Sequence, residues 1–262
     1  MRHHEDTLDA YVRRVRADAD AIAVIVVGSV ARGTERADSD VDVYLVVPED
    51  VFASAVATHR VIFVERSDAT YPGGYVDVKL ATIAFLEAAA ERGDDPVRAS
   101  FEGARVVWAR DGYDIVGRVA AIPALPPTVW EDRAASFISQ VRLYATDFLP
   151  EAVASGNTFM LHHAAVHAVA AGGRALLALN RRLFRGPKYL DAALAGLERL
   201  PDGYAELAWR LVASPSRQSA DAYVQALEAF HPWPVDRAAS DSMFIRDNEL
   251  AWYTRILPPE AR

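Results

Sequence analysis

Residues 21–47 read AIAVIVVGSVARGTERADSDVDVYLVV, and this stretch decides the fold. Two β-branched apolar runs, AIAVIVV (21–27) and VDVYLVV (41–47), are closed by Gly28 and Pro48 and predict buried strands. Side chains alternate along a strand, so Asp40 and Asp42 face one way while Val41, Val43 and Leu45 face the core. At the exit of the first strand, Gly28-Ser29 lets the backbone come close to a phosphate, with amides and a hydroxyl as donors.

The texture continues outward from this stretch. Leu8, Tyr11, Val12 and Val15 predict an amphipathic helix over 6–20, and a short helix is expected over 49–58. VIFVE (61–65), YVDVKLA (75–81) and ARVVWAR (104–110) read as three further strands, with a helix over 82–92. The first half is therefore α/β, built on a mixed sheet. IPALPP (122–127) opposes both helix and sheet and marks a linker, giving expected domains of 1–125 and 126–262. Beyond it the segments 130–149, 157–184, 188–200, 203–213, 216–230 and 240–256 are periodic at helical spacing, with breaks at Pro150, Gly156, Pro187, Pro201, Pro215 and the HPWP turn at 231–234. The second half reads as an all-α bundle whose aromatic tail (Phe230, Trp233, Phe244, Trp252, Tyr253) belongs to the core.

Composition narrows the chemistry. With 52% hydrophobic and 24% charged residues over 262 positions, the chain can bury a sizeable core. The absence of cysteine leaves carboxylates and histidines as the metal ligands on offer. A net charge of −8 opposes the coating of extended nucleic acid. The acidity is concentrated in residues 1–127, with 21 acids against 14 bases, whereas the remainder has 15 against 14. The longest clean apolar run, 21–27, is far short of the ~20 residues of a membrane span, so no membrane partner and a cytoplasmic location are expected.

Two carboxylates as close as Asp40 and Asp42 repel unless a cation lies between them, and carboxylates suit Mg²⁺, which also binds substrate phosphates. In YVDVKLA, Asp77 shares a face with Tyr75 and Lys79. If that strand borders the Asp40/Asp42 strand, Asp77 is either the third carboxylate of a two-metal cluster or the base that deprotonates an attacking hydroxyl. Lys79 reads as an edge-strand or charge-balancing residue. The glycine spacing of 28–33 imitates a P-loop, but Thr34-Glu35 stands where Lys-Ser/Thr is required. His163 and His167 have zinc-compatible spacing, yet no HExxH glutamate accompanies them, so with His162 they are expected to line a cleft or pack in the bundle.

The set Gly28-Ser29, Asp40-x-Asp42 and a lone Asp77 on a later strand resembles the nucleotidyltransferase superfamily typified by DNA polymerase β. With the helical second half it resembles the antibiotic nucleotidyltransferase branch. GPKYLDAALAGLERLP (186–201) is similar to a segment of aminoglycoside adenylyltransferases in which a lysine contacts the triphosphate, and Lys188 is the matching residue. The resemblance implies transfer of a nucleoside monophosphate, usually AMP from ATP, to a hydroxyl of a small acceptor such as an aminoglycoside, an antibiotic-resistance activity. It implies Gly28, Ser29, Arg32 and Lys188 as nucleotide contacts, and Asp40, Asp42 and Asp77 as ligands of Mg²⁺, as two ions, with Asp77 alternatively the base. Glu131, Asp132, Asp147 and Glu151 are acids available to a polycationic acceptor, or parts of a solvated helix face. Two rival readings are a protein AMP-transferase of antitoxin type and a catalytically silent nucleotide-binding regulator; the large helical half weighs against the first and the three clustered acids against the second.

Overall fold

The computed structural model describes residues 1–261 and divides the chain into two compact units, Met1–Ala124 and Leu125–Arg262. The first unit runs α1 (Arg2–Val15), β1 (Ala23–Val26), α2 (Gly28–Arg32), β2 (Val41–Val46), α3 (Glu49–Ala57), β3 (Ile62–Glu65), β4 (Val76–Ala81), α4 (Ile83–Arg92), α5 (Asp95–Ser100), β5 (Arg105–Ala109) and α6 (Ile115–Ala121). The five strands form one mixed sheet in the order β3-β4-β2-β1-β5, in which β2 and β4 are parallel and the other neighbours antiparallel.

Alternation along the central strands supplies two cores. On one face Val24, Val26, Val41, Val43, Leu45, Val76 and Val78 pack with Leu8, Tyr11, Val12 and Val15, the apolar stripe of α1. On the other, Ala23, Ile25, Tyr44, Val46 and Ala81 pack with Leu86, Phe101, Ile115, Val119 and Ile122. Both faces are covered, which explains why β1 and β2 read as continuous apolar runs rather than alternating ones. Thr82 caps α4 by accepting from Phe85 N at 3.0 Å, a contact of about 1 kcal/mol in comparable helices. The short helices α5 and α6 were not expected; each begins at an aspartate cap, Asp94 and Asp114, but is too short to show periodicity. Strand β4 is interior, so Lys79 is not an edge residue.

The second unit is helical throughout: α7 (Pro127–Leu143), a π-turn at Tyr144–Phe148, α8 (Leu149–Ser155), α9 (Thr158–Leu179), α10 (Leu190–Ala195), α11 (Tyr204–Ala213), α12 (Arg217–Phe230), α13 (Ser240–Phe244), a π-turn at Ile245–Glu249, and α14 (Ala251–Thr254). The expected break at Pro150 does not occur. The π-turn shifts the hydrogen-bond register just ahead of it and places Pro150 in the first turn of α8, where a missing N–H costs little. α9 is lined with Ala164, Ala165, Ala168, Ala171 and Gly172, so its neighbours approach closely; a Cβ at Gly172 would overlap the Tyr223 hydroxyl. Buried Arg142 is paired, donating to both Glu228 oxygens at 2.7 and 3.0 Å and to Ser240 Oγ at 2.7 Å. Trp233 is buried as expected, but Trp252 and Tyr253 are 80% and 72% exposed, because α14 is a single turn with no face to bury. No helix of the described residues is long and apolar enough to cross a membrane.

Candidate active site

Two strand pairings bring the chemistry together. In the antiparallel β1–β2 ladder Val26 faces Val43, and Val27 N donates to Asp42 O at 2.9 Å, so the chain leaves β1 beside the point where it re-enters as β2. In the parallel β2–β4 ladder Asp42 is directly opposite Asp77. Alternation puts both side chains on one face, and Asp40, two residues before Asp42, joins them. Asp40, Asp42 and Asp77 each offer a carboxylate oxygen within 4.8 Å of the others, all three are half-buried, and among the described residues no other group of three or more His, Cys, Asp and Glu has this geometry.

The electrostatics are unbalanced without a cation. Burial raises the Asp42 pKa, and the neighbouring carboxylates Asp40 and Asp77 push in the same direction, opposed by Lys79 and Arg32. Lys79 thus acts as a charge-balancing residue in the sheet interior. The Oδ1 of Asp77 is buried without a hydrogen-bond partner. An orphaned carboxylate oxygen beside two further acids, in a protein with no cysteine, is the donor set a hard divalent cation takes. The Asp40 carboxylate raises the pKa of the Tyr75 phenol, and the Arg66 guanidinium lies 5.0 Å from the Tyr75 ring centroid.

Gly28 opens α2 at φ +70°, and its bare Cα stands against the Asp42 carboxylate. Ser29 is half-buried; its carbonyl accepts from Thr34 N at 3.0 Å, which leaves its amide and hydroxyl as the groups with a bearing on a phosphate. α2 has only five residues, so a macrodipole contributes little, and the local amides matter more. Arg32 ends α2, and the absence of a side chain at Gly103 leaves room for its stem. Lys188 belongs to the second unit, exposed in the 3₁₀ turn Pro187–Tyr189, with its ammonium 5.4 Å from the Tyr189 ring centroid.

Three neighbours of the carboxylates escaped the sequence reading. Tyr75 carried a signal, since it precedes Asp77 by two and shares its face. His4 and Tyr71 carried none, because they reach the Asp40 segment across 35 and 32 residues of chain. In the second unit the His163 and His167 rings lie 4.1 Å apart, tilted by 39°, with Tyr144 4.9 Å from His167 and Phe159 5.9 Å from His163. Of the acids set aside for an acceptor, Asp132 pairs with Arg246 at 3.4 Å, while Asp147 and Glu151 are exposed.

Residues 8–102 match the family model of the nucleotidyltransferase domain, a span that contains Gly28, Ser29, Arg32, Asp40, Asp42 and Asp77. The chain aligns with a crystal structure of a nucleotidyltransferase-like protein from Exiguobacterium sibiricum over 92% of this chain and 78% of that one, at 12% identity and a TM-score of 0.49. It aligns with a spectinomycin adenyltransferase from Enterococcus faecialis, solved with ATP and spectinomycin, over 92% and 98%, at 10% identity and a TM-score of 0.33. At that level of likeness neither structure speaks to what this chain acts on. None of the curated proteins matches it.

Proposed function

We propose that this chain, whose residues 8–102 form a nucleotidyltransferase domain, transfers AMP from ATP to a hydroxyl of a small acceptor and releases pyrophosphate. The observation that carries the reading is the opposition of Asp42 and Asp77 in parallel register, with Asp40 beside them. Asp40, Asp42 and Asp77 would hold Mg²⁺, as a pair of ions whose chemistry there is to neutralise the triphosphate and the charge that develops at phosphorus. Gly28 and Ser29 receive the β and γ phosphates on amides and a hydroxyl, and Arg32 and Lys188 add positive charge to the triphosphate.

The acceptor oxygen forms its bond to the α-phosphorus while the bond from that phosphorus to the bridging oxygen breaks, and pyrophosphate departs with the electron pair. In the alternative where Asp77 is the base rather than a metal ligand, the hydroxyl proton passes to it; among the described residues no protein group hydrogen-bonds its Oδ1. Most of the acceleration comes from alignment and charge placement. An aminoglycoside-type antibiotic is the acceptor class supported by the 186–201 resemblance, and the exposed Asp147 and Glu151 are carboxylates that suit a polycation. The activity is then one of antibiotic resistance, carried out in the cytoplasm.

Incubation of the purified chain with Mg²⁺, ATP labelled at the α-phosphate and a panel of aminoglycosides and lincosamides tests this. Label on one acceptor class, with stoichiometric pyrophosphate, is expected. Label on protein would instead favour an antitoxin-type AMP-transferase, and ATP bound with label nowhere would leave a regulatory nucleotide-binding protein.

A further inference from the structure

Asp42 and Asp77 are fixed by the sheet, each within a ladder of strand hydrogen bonds. Asp40 is not. It lies one residue ahead of β2, at the end of the connection that follows α2, where the backbone is neither helix nor strand. Something other than the sheet has to define where its carboxylate sits.

Two side chains from distant parts of the first unit converge on the carbonyl directly before it. His4 Nε2 donates to Ser39 O at 3.0 Å, and the Tyr71 hydroxyl donates to the same oxygen at 2.5 Å. The two rings meet edge to face with centroids 4.9 Å apart. His4 is wholly buried, and a carbonyl only accepts, so Nε2 carries the proton. The other ring nitrogen, Nδ1, is then left buried without a partner. An aliphatic side chain would fill this volume with no orphaned atom, whereas the imidazole leaves one and makes one hydrogen bond, to Ser39 O.

The grip is anchored in turn. Thr70 N donates to Thr7 Oγ1 at 3.0 Å and Thr70 Oγ1 to His3 O at 2.8 Å, which ties the Tyr71 segment to α1. His3 Nε2 donates to Ala37 O at 3.1 Å, a second hold on the same connection. We propose that His4 and Tyr71 are positioning residues that fix Asp40 for cation binding by gripping the Ser39 carbonyl from α1 and from the segment before β4. The assignment rests on the reading of the three carboxylates as a divalent-cation site.

The test is binding of Mn²⁺ alone to the metal-free full chain, followed by the paramagnetic signal of the free ion. Tyr71→Phe removes only the hydroxyl, His4→Leu removes the imidazole donor, and His4→Gln keeps an amide N–H at a similar reach. Tyr71→Phe and His4→Leu are expected to weaken Mn²⁺ binding by roughly 10- to 100-fold, the range for partners that orient metal ligands, with His4→Gln restoring most of it. Asp40→Asn is the reference for complete loss of that ligand. Weakened binding in Asp40→Asn alongside wild-type affinity in Tyr71→Phe and His4→Leu overturns the positioning role and leaves the cation site standing. A wild-type chain that binds no Mn²⁺ removes the cation site and the positioning role with it. Should His4→Leu fail to fold, Tyr71→Phe decides by itself.

Discussion

Gly28 stands directly against Asp42: a Cβ on Gly28 would lie 3.0 Å from Asp42 Cγ and overlap its Oδ2, and the Gly28 backbone has φ +70°. The turn at Gly28 and the Asp42 carboxylate are thus one packed unit, and any side chain at position 28 disturbs both.

Gly28→Ala should therefore damage activity beyond its effect on folding. A non-glycine residue at positive φ costs about 1–3 kcal/mol, and the methyl must also push the Asp42 carboxylate aside. Thermal unfolding is expected to show a loss of a few degrees, while kcat/KM falls by about a hundredfold or more, since ~1 Å displacements in such sites cost on that order. A variant with wild-type turnover would show that the contact is incidental.

Asp42→Asn should separate stability from activity. Because the folded-state pKa of Asp42 is raised, by burial first and by Asp40 and Asp77 next, the folded chain holds the proton better than the unfolded chain does. Its contribution to stability is thus present at acid pH, below the ordinary carboxylate value, and is lost as pH rises through the raised one. At neutral pH the ionised carboxylate is a burden that asparagine removes. Calorimetry on metal-free protein should show a Tm gain of about 2–4 °C, the shift that ~1 kcal/mol gives in a chain of this size, with the gap closing toward pH 4 and transfer abolished.

Divalent cation should act as a stabilising ligand. Mg²⁺ at a hundredfold over its Kd stabilises a folded state by about 2.7 kcal/mol, so Tm should climb by several degrees on addition and return on chelation. Asp42→Asn should blunt that response. An equal gain in the variant would place the bound ion elsewhere.

Lys188→Ala tests a residue without structural duties. Its side chain is exposed on a short 3₁₀ turn, so the melting temperature should hold. Under the proposed triphosphate role, KM for ATP rises by roughly tenfold, about the 1.4 kcal/mol of one charge-assisted contact. An unchanged KM assigns the lysine to the solvated surface.

In the second unit, Tyr204 and Tyr223 share a buried hydroxyl pair at 2.8 Å, and burial pushes both pKa values up. Tyr223→Phe leaves the Tyr204 hydroxyl unsatisfied and is expected to cost about 1–3 kcal/mol in urea unfolding. Changing both to phenylalanine should cost less than the single change, because no orphan remains.

Much of the architecture was legible in the chain itself. The β-branched runs 21–27 and 41–47 named the central strands, and the α1 stripe of Leu8, Tyr11, Val12 and Val15 named the first helix, because each signal lies within one element. Short helices such as α5 did not show, since six residues cannot display a period. Pro150 misled because a π-turn, set by packing, moved it to a tolerant position. Trp252 and Tyr253 misled because hydrophobicity alone does not tell whether a one-turn helix has a partner surface.

The candidate site divides along the same line. Gly28-Ser29 and Asp40-x-Asp42 were readable as a local pattern, since a spacing of two suggests one face, although Asp40 itself lies just ahead of β2. Whether Asp77 joined them depended on strand order, which no local spacing specifies; the parallel β2–β4 pairing placed it opposite Asp42. His4 and Tyr71 came to Ser39 only through the packing of α1 and the segment before β4. Sequence determined which residues are candidates for the site, because residue type and strand period are properties of a short segment. Tertiary structure decided which of them meet, because non-local pairing is settled by the burial of whole faces rather than by neighbours along the chain.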